Sequence, residues 1–245
     1  MNSRFISGLV IDWQKVARDS YLREIPALSG LEKLDFEQDV TFFVGENGSG
    51  KSTLIEAIAV AYGFNPEGGT INYRFSTYDD VSELGRAVRL IKGYKHPKAN
   101  VFFRAESFFN LASKAEDYRD GTPKEVFYAR YGGKSLHEQS HGESFLNYFQ
   151  SFNQPGLYLM DEPEAALSPQ RQLALLRQIA QLARAGAQFL IATHSPILLG
   201  LPGALIYGMD EGRIRPCAYE DTQSYQVTAL FINNRAGLLK RLLED

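Results

Sequence analysis

Four short stretches hold the residue types that phosphate and metal chemistry require. The first is G-E-N-G-S-G-K-S, residues 45–52, which fits the pattern G-x-x-x-x-G-K-[ST]. Gly45, Glu46, Asn47, Gly48, Ser49 and Gly50 can curl so that several backbone N–H groups point at one phosphate. Lys51, Ser52 and Thr53 then open a helix whose N-terminal partial charge favours an anion. In such a loop Lys51 reaches the outer phosphates and Ser52 ligates Mg2+. The second stretch, G-L-Y-L-M-D-E-P over 156–163, ends an apolar run in two acids. Asp161 suits a carboxylate that holds Mg2+ directly or through water. Glu162 suits a group that orients or deprotonates an attacking water. The third, I-A-T-H-S-P over 191–196, carries His194 to the end of an apolar run. One helix and one strand separate His194 from Glu162, so it emerges on the neighbouring strand, where it can sense the outermost phosphate. A lone histidine there is otherwise a cap or a core residue. The fourth, Q-S-H-G-E-S over 139–144, read alone is a Ser/Gly turn capping a helix that begins near Glu143.

These stretches need a rigid frame. Val40–Val44 is a compact β-rich apolar run, as a buried strand requires, and Lys51–Tyr62 follows as a helix. Val81, Leu84, Val88 and Ile91 recur at helical spacing, which predicts a helix over 79–91. Strands are expected over 100–105, 156–160 and 188–192. Ser168-Pro169 and Ser195-Pro196 both pair a capping residue with a proline at the first helical position, the first of them opening a helix over 169–185. The segments 204–209 and 213–216 flank D-E-G as a hairpin, and 236–243 reads as a short helix. The span 64–139, rich in Gly, Tyr and Phe, reads as a partly β, partly helical embellishment. The alternation of short apolar runs and helical patterns predicts an α/β architecture.

Length and composition fit that frame. The chain has 245 residues, 44% hydrophobic and 22% charged, with a net charge of −3. That balance suits a globular domain and argues against a surface coated in basic residues for nucleic acid. Cys217 is the only cysteine, so no intrachain disulfide forms and no zinc spacing exists. No apolar run reaches 18 residues, so no membrane span is expected. The first ten residues have no secretory pattern, and a cytoplasmic location is expected.

In their order and spacing the four stretches resemble the ATP-binding-cassette (ABC) ATPases, over roughly residues 40–209. The resemblance implies a P-loop NTPase of the ABC ATPase type: a mixed central sheet flanked by helices, with a small β/helical embellishment. It implies one domain over 1–245, with an insert or helical subregion at about 64–150. ATP and Mg2+ are the implied cofactors, and ATP hydrolysis the implied reaction. Residues 45–52 stand where that family has Walker A. Asp161 and Glu162 stand as Walker B and the catalytic glutamate, and His194 as the switch histidine. Ser140-His141-Gly142-Glu143 resembles a degenerate signature motif. The family closes one subunit's signature over the ATP of another. That implies a head-to-tail, ATP-sandwiched homodimer in which Ser140 and Gly142, with Glu143 beside them, contact the nucleotide in trans.

Departures from the family pattern matter. His141 and Glu143 replace a Gly and a Gln of the usual L-S-G-G-Q, and E-A-A-L-S-P over 164–169 has Ser168 near the usual Asp. These variations resemble the non-transporter branch, with its SMC-like heads, repair ATPases and "AAA family" predicted ATPases. E-S-F-F over 106–109 stands near the family's Gln-containing loop, which would put Glu106 on the metal or a water; Arg104 or Ser107 would serve as well. The interval from Lys51 to Ser140 contains Pro66, Pro97 and Pro123, so no long coiled-coil arm fits there. In the family's relatives the N-terminal region holds the adenine, which leaves Trp13, Tyr21 and Arg23 as candidates.

From 85 to 104 there are six basic residues (Arg86, Arg89, Lys92, Lys95, Lys98 and Arg104) and no acid. They form either a solvated face or a docking patch for nucleic acid or an acidic partner. The leading expectation is an ATPase that dimerises on ATP and gates a protein partner, such as a nuclease in repair or defence. The alternative is the ATPase subunit of a membrane transporter. Behind these stand a P-loop kinase and a scaffold that barely hydrolyses ATP.

Overall fold

The computed structural model describes residues 4–71, 83–108, 123–129 and 131–243. In chain order the elements are β1 (Ile6–Ile11), α1 (Pro26–Ser29), β2 (Lys33–Asp35), β3 (Val40–Val44), α2 (Lys51–Tyr62), α3 (Glu83–Ala87), β4 (Val88–Lys92), β5 (Ala99–Arg104), α4 (Lys124–Ala129), α5 (His141–Gln150), β6 (Gly156–Asp161), α6 (Pro169–Arg184), β7 (Gln188–Ala192), α7 (Pro196–Leu199), β8 (Leu205–Gly208), β9 (Arg215–Pro216), α8 (Gln223–Asn233) and α9 (Arg235–Leu243).

The central sheet runs β5-β6-β7-β3-β8-β9. Its first four pairings are parallel and β8–β9 is antiparallel, so the sheet is mixed. Every residue of β3, β6 and β7 is buried, which is why these strands read as unbroken apolar runs. One face packs Leu54, Ile55 and Ile58 of α2 together with Ile6, Leu9 and Leu34 from a small antiparallel sheet, β2-β1-β4. The other face packs Leu175, Ile179 and Leu182 of α6 with Phe145 and Phe149 of α5. Burying one such side chain stabilises the fold by about 1.5–3 kcal/mol. Gln188, on β7, ties the two sheets together. Its Oε1 accepts from the Ile6 amide at 2.9 Å and its Nε2 donates to the Ile6 carbonyl at 2.6 Å.

The topology explains how distant stretches meet. Strand β7 lies between β3, which leads into the 45–52 loop, and β6, which ends in Asp161. All three are parallel, so the loops after them open at one edge of the sheet.

The middle of the chain departs from the sequence reading. The helix expected over 79–91 is helical only at Glu83–Ala87, and residues 79–82 lie outside the described residues. From Val88 the chain is strand β4, which pairs with β1 from Ile11↔Val88 to Ile6↔Lys92. Spacing of three and four cannot reveal a β-ladder partner eighty residues away, and that pairing overrides the local pattern. The 64–150 span is also not wholly an embellishment, because β5 within it is the edge strand of the central sheet. Phe102, Phe103 and Phe108 are buried core residues; Phe109 lies outside the described residues. Helix α5 begins at His141 with Ser140 as its N-cap, two residues earlier than expected. Among the described residues no helix is long and apolar enough to cross a membrane.

Candidate nucleotide site

The 45–52 loop leaves β3 and enters α2 through Gly50, whose φ is +96°. That conformation suits glycine, and a Cβ there would also meet Ile25 Cγ2 at 2.8 Å and Leu28 Cδ1 at 2.9 Å. The short helix α1 therefore sits directly against the loop. Gly48 is likewise left-handed, with φ +82°. The Glu46 amide donates to Asp210 Oδ1 at 3.0 Å, and Gln223 Nε2 donates to Glu46 Oε1 at 3.1 Å. Asp210, just past β8, thus anchors the loop from the far side.

Lys51 is 4% exposed, and its Nζ donates to the Gly45 and Glu46 carbonyls at 2.8 and 2.9 Å. Burial lowers its pKa from the ordinary lysine value, opposed by Glu162, Asp210, Asp161 and Glu164. Ser52 Oγ donates to Asp161 Oδ1 at 2.9 Å. Asp161 is 6% exposed, and burial pushes its carboxyl up to about 6, against the Ser52 bond and the Arg104 guanidinium. Two hard oxygen donors beside a phosphate loop are the donor set Mg2+ takes when a nucleotide supplies further oxygens. Among the described residues no cluster of three or more His, Cys, Asp and Glu builds a metal cage by itself. The donor set therefore fits Mg2+ bound jointly with a nucleotide, which Ser52 and Asp161 would hold. When bound, the cation would neutralise phosphate charge.

Glu162 follows Asp161 with φ +50°, and its amide donates to the Ala192 carbonyl at 2.9 Å. That twist turns its carboxylate toward His194, with Oε1 3.8 Å from His194 Nε2. Burial, then Lys51, lowers the His194 pKa below the ordinary histidine value. The imidazole is therefore neutral near pH 7, able to offer either a donor or an acceptor. The sequence reading missed Glu164. Its Oε1 accepts from the His194 amide at 2.5 Å, and burial raises its pKa. The 45–52 loop, Glu162 and His194, with Tyr21 and Ile25, line a cavity of about 820 Å3. Of the three adenine candidates only Tyr21, 64% exposed, lines that cavity. Trp13 Nε1 donates to the Leu31 carbonyl, and Arg23 holds the Trp13 and Val16 carbonyls.

Ser140, Gly142 and Glu143 do not line this cavity. Glu143 Oε2 accepts from the Ser140 amide at 3.1 Å and hydroxyl at 2.7 Å, and these bonds lower its pKa. Glu143 Oε1 lies 3.0 Å from Arg171 Nη2. The turn is thus a helix cap locked to the start of α6. Glu106 is 87% exposed, 3.7 Å from Arg104, and close enough to Asp161 to oppose its ionisation. The six basic residues do not share one role. Lys92 lies over the Tyr62 ring at 4.5 Å, while Arg104 pairs with Glu56 at 2.7 Å.

Residues 21–152, more than half of the chain, match the family model described as AAA domain. The chain belongs to the AAA domain family. Residues 148–200 match a second model, described as AAA domain, putative AbiEii toxin, Type IV TA system. Among curated relatives the chain is similar to the energy-coupling factor transporter ATP-binding protein EcfA2 of Streptococcus sanguinis. The identity is 25% over 212 residues, covering 78% of this chain and 74% of the relative. It is 28% identical over 196 residues to the L-cystine transport system ATP-binding protein TcyN of Escherichia coli, covering 72% and 77%. Among solved structures, an ATP-binding cassette of an ABC transporter in its ADP conformation aligns with TM-score 0.47 and 18% identity, covering 84% of this chain and 89% of the other. The SMC head domain from Thermotoga maritima aligns with TM-score 0.41 and 16% identity, covering 76% and 93%. The fold of this AAA-domain protein is α/β, a mixed sheet flanked by helices with the glycine-rich 45–52 loop between β3 and α2.

Proposed function

We propose that the chain binds Mg-ATP and hydrolyses it to ADP and phosphate as an ATP-sandwiched homodimer that drives a protein partner. The observation that carries the hydrolysis is the convergence of Lys51, Ser52, Asp161, Glu162 and His194 on the edge where β3, β6 and β7 end. Residues 45–53 cradle the phosphates. Ser52 and Asp161 hold Mg2+, with Glu106 beside them. Glu162 takes the proton of the attacking water and His194 contacts the γ-phosphate. Residues 1–245 act as one domain. Ser140, Gly142 and Glu143 serve the site of a second copy, a reading supported by the exposure of Ser140 and Glu143 at the start of α5.

Two readings of the partner stand. The curated relatives carry transporter names, which supports a membrane transport component, and this reading is preferred. The AbiEii toxin description, with the altered signature, supports a partner outside transport. Nothing in the comparisons supports nucleic acid at residues 86–104.

Phosphate release from ATP tests the activity. The purified chain should turn over in Mg2+, and neither in EDTA nor as Lys51→Ala. Equal turnover in Lys51→Ala would contradict the assignment. Capture of partners by Glu162→Gln in ATP separates the two readings: a polytopic membrane protein supports the first, a soluble protein the second.

A further inference from the structure

Arg104 closes β5, directly opposite Asp161 at the end of β6 in the parallel register. Its side chain is 19% exposed and stands among three carboxylates. Nη1 donates to Glu56 Oε2 at 2.7 Å and to the Pro66 carbonyl at 3.1 Å. Nη2 lies 3.7 Å from Glu106 Oε2. Nε is buried, has no hydrogen-bond partner among the described residues, and faces Asp161 Oδ2 at 3.8 Å. The two oxygens of Asp161 are thus divided: Ser52 holds Oδ1, and the guanidinium stands at Oδ2. Glu56 belongs to α2, the helix that the phosphate loop opens. One guanidinium therefore spans the phosphate-loop helix, the carboxylate opposite it and the loop after β5. Only a planar fork with several donors can meet all of these at once; an ammonium is a single point charge.

We propose that Arg104 is a positioning residue of the metal site. Its Nε side fixes the Oδ2 edge of Asp161, so that Oδ1 and Ser52 present one face to the cation. Its Nη1 bond to Glu56 ties that orientation to α2. The inference rests on the Mg-ATP reading above and adds a residue to it. Outer-shell partners of metal ligands are worth roughly 10–100-fold in metal affinity or activity.

The test compares the affinity of a fluorescent ATP analogue in EDTA and in Mg2+, for wild type, Arg104→Gln and Arg104→Lys, beside thermal melts. For Arg104→Gln, affinity in EDTA stays within about twofold of wild type, while affinity in Mg2+ falls roughly tenfold. Arg104→Lys keeps the charge and can still reach Glu56. It therefore recovers melting temperature yet retains the Mg2+-specific loss, and it carries the test where Arg104→Gln does not fold. An equal loss in EDTA and in Mg2+ would overturn the proposal, because it would make Arg104 a clamp of the fold only. Wild-type affinities in Mg2+ for both variants would overturn it as well. Wild-type protein that bound no analogue in either condition would instead overturn the Mg-ATP reading, and this inference with it.

Discussion

Ser52 Oγ and Asp161 Oδ1 meet at 2.9 Å although 109 positions separate them. The bond is made by topology. Strand β7, between β3 and β6, sets the two loops one strand apart at a single edge of the sheet. A hydroxyl at a helix N-terminus and a buried carboxylate then face each other beside the Lys51 ammonium, a donor pair that fits a phosphate-bound cation.

Lys51→Ala is expected to abolish nucleotide binding. It removes the only lysine or arginine among the described residues that line the cavity and frees the Gly45 and Glu46 carbonyls. Calorimetric titration with ATP checks it; unchanged affinity would remove the loop from the site.

His194→Ala should cut hydrolysis more than binding. The His194 backbone is held by Glu164 independently of the ring, so the loop keeps its place when the imidazole goes. A loss of kcat of roughly 100–1,000-fold, with KM changed far less, is the expected split. An unaltered kcat would take His194 out of the reaction.

Much of this site was legible because its residues are consecutive. Gly45–Ser52, the D-E pair at 161 and 162, and His194 each follow an apolar run that the structure shows as a fully buried parallel strand. Arg104 illustrates the other case. Within the sequence it is one of six basic residues and an alternative to Glu106 near the metal, and only the β5–β6 register sets it against Asp161. Glu164 and Asp210 were illegible for the same reason, since each acts through a backbone amide of a distant segment. Strand β4 was misread as helix because its partner, β1, is far away in the chain, and β1 itself carries no chemical motif.

Thermal stability in EDTA should depend on Asp161 between about pH 4 and pH 6. Burial raises its folded-state pKa to about 6 from an ordinary 3.8. The folded state thus holds a proton that the unfolded chain has lost, and stability falls as pH rises through that window. Asp161→Asn keeps an oxygen for Ser52 without the charge. It should stabilise the metal-free protein by about 3 kcal/mol at pH 7.5, with little effect at pH 3.5. His194, with its pKa lowered, works in the opposite direction: its stabilising contribution is lost as pH falls below its unfolded value of 6.5. Melts across pH of wild type and Asp161→Asn check the window; parallel curves would contradict it.

Gly142 has no room for a side chain. A Cβ there would lie 2.5 Å from the Ala166 carbonyl oxygen, a backbone atom that cannot swing aside, and 2.8 Å from Arg171 Nη1. Gly142→Ala is expected to cost about 1–3 kcal/mol and to loosen the start of α5 from α6. Ser140→Arg, at an exposed turn, should leave the melting temperature nearly unchanged while blocking assembly of the ATP-bound dimer. Denaturant melts and sedimentation separate the two effects; assembly by Ser140→Arg would deny the turn its role in trans.

In the proposed active form, ATP joins two copies of the chain. Light scattering of Glu162→Gln, in Mg-ATP and in Mg-ADP, measures that directly. The expected mass is 27.5 kDa in Mg-ADP and twice that in Mg-ATP. A mass of 27.5 kDa in both would contradict the sandwich and leave residues 139–144 as the cap of a helix.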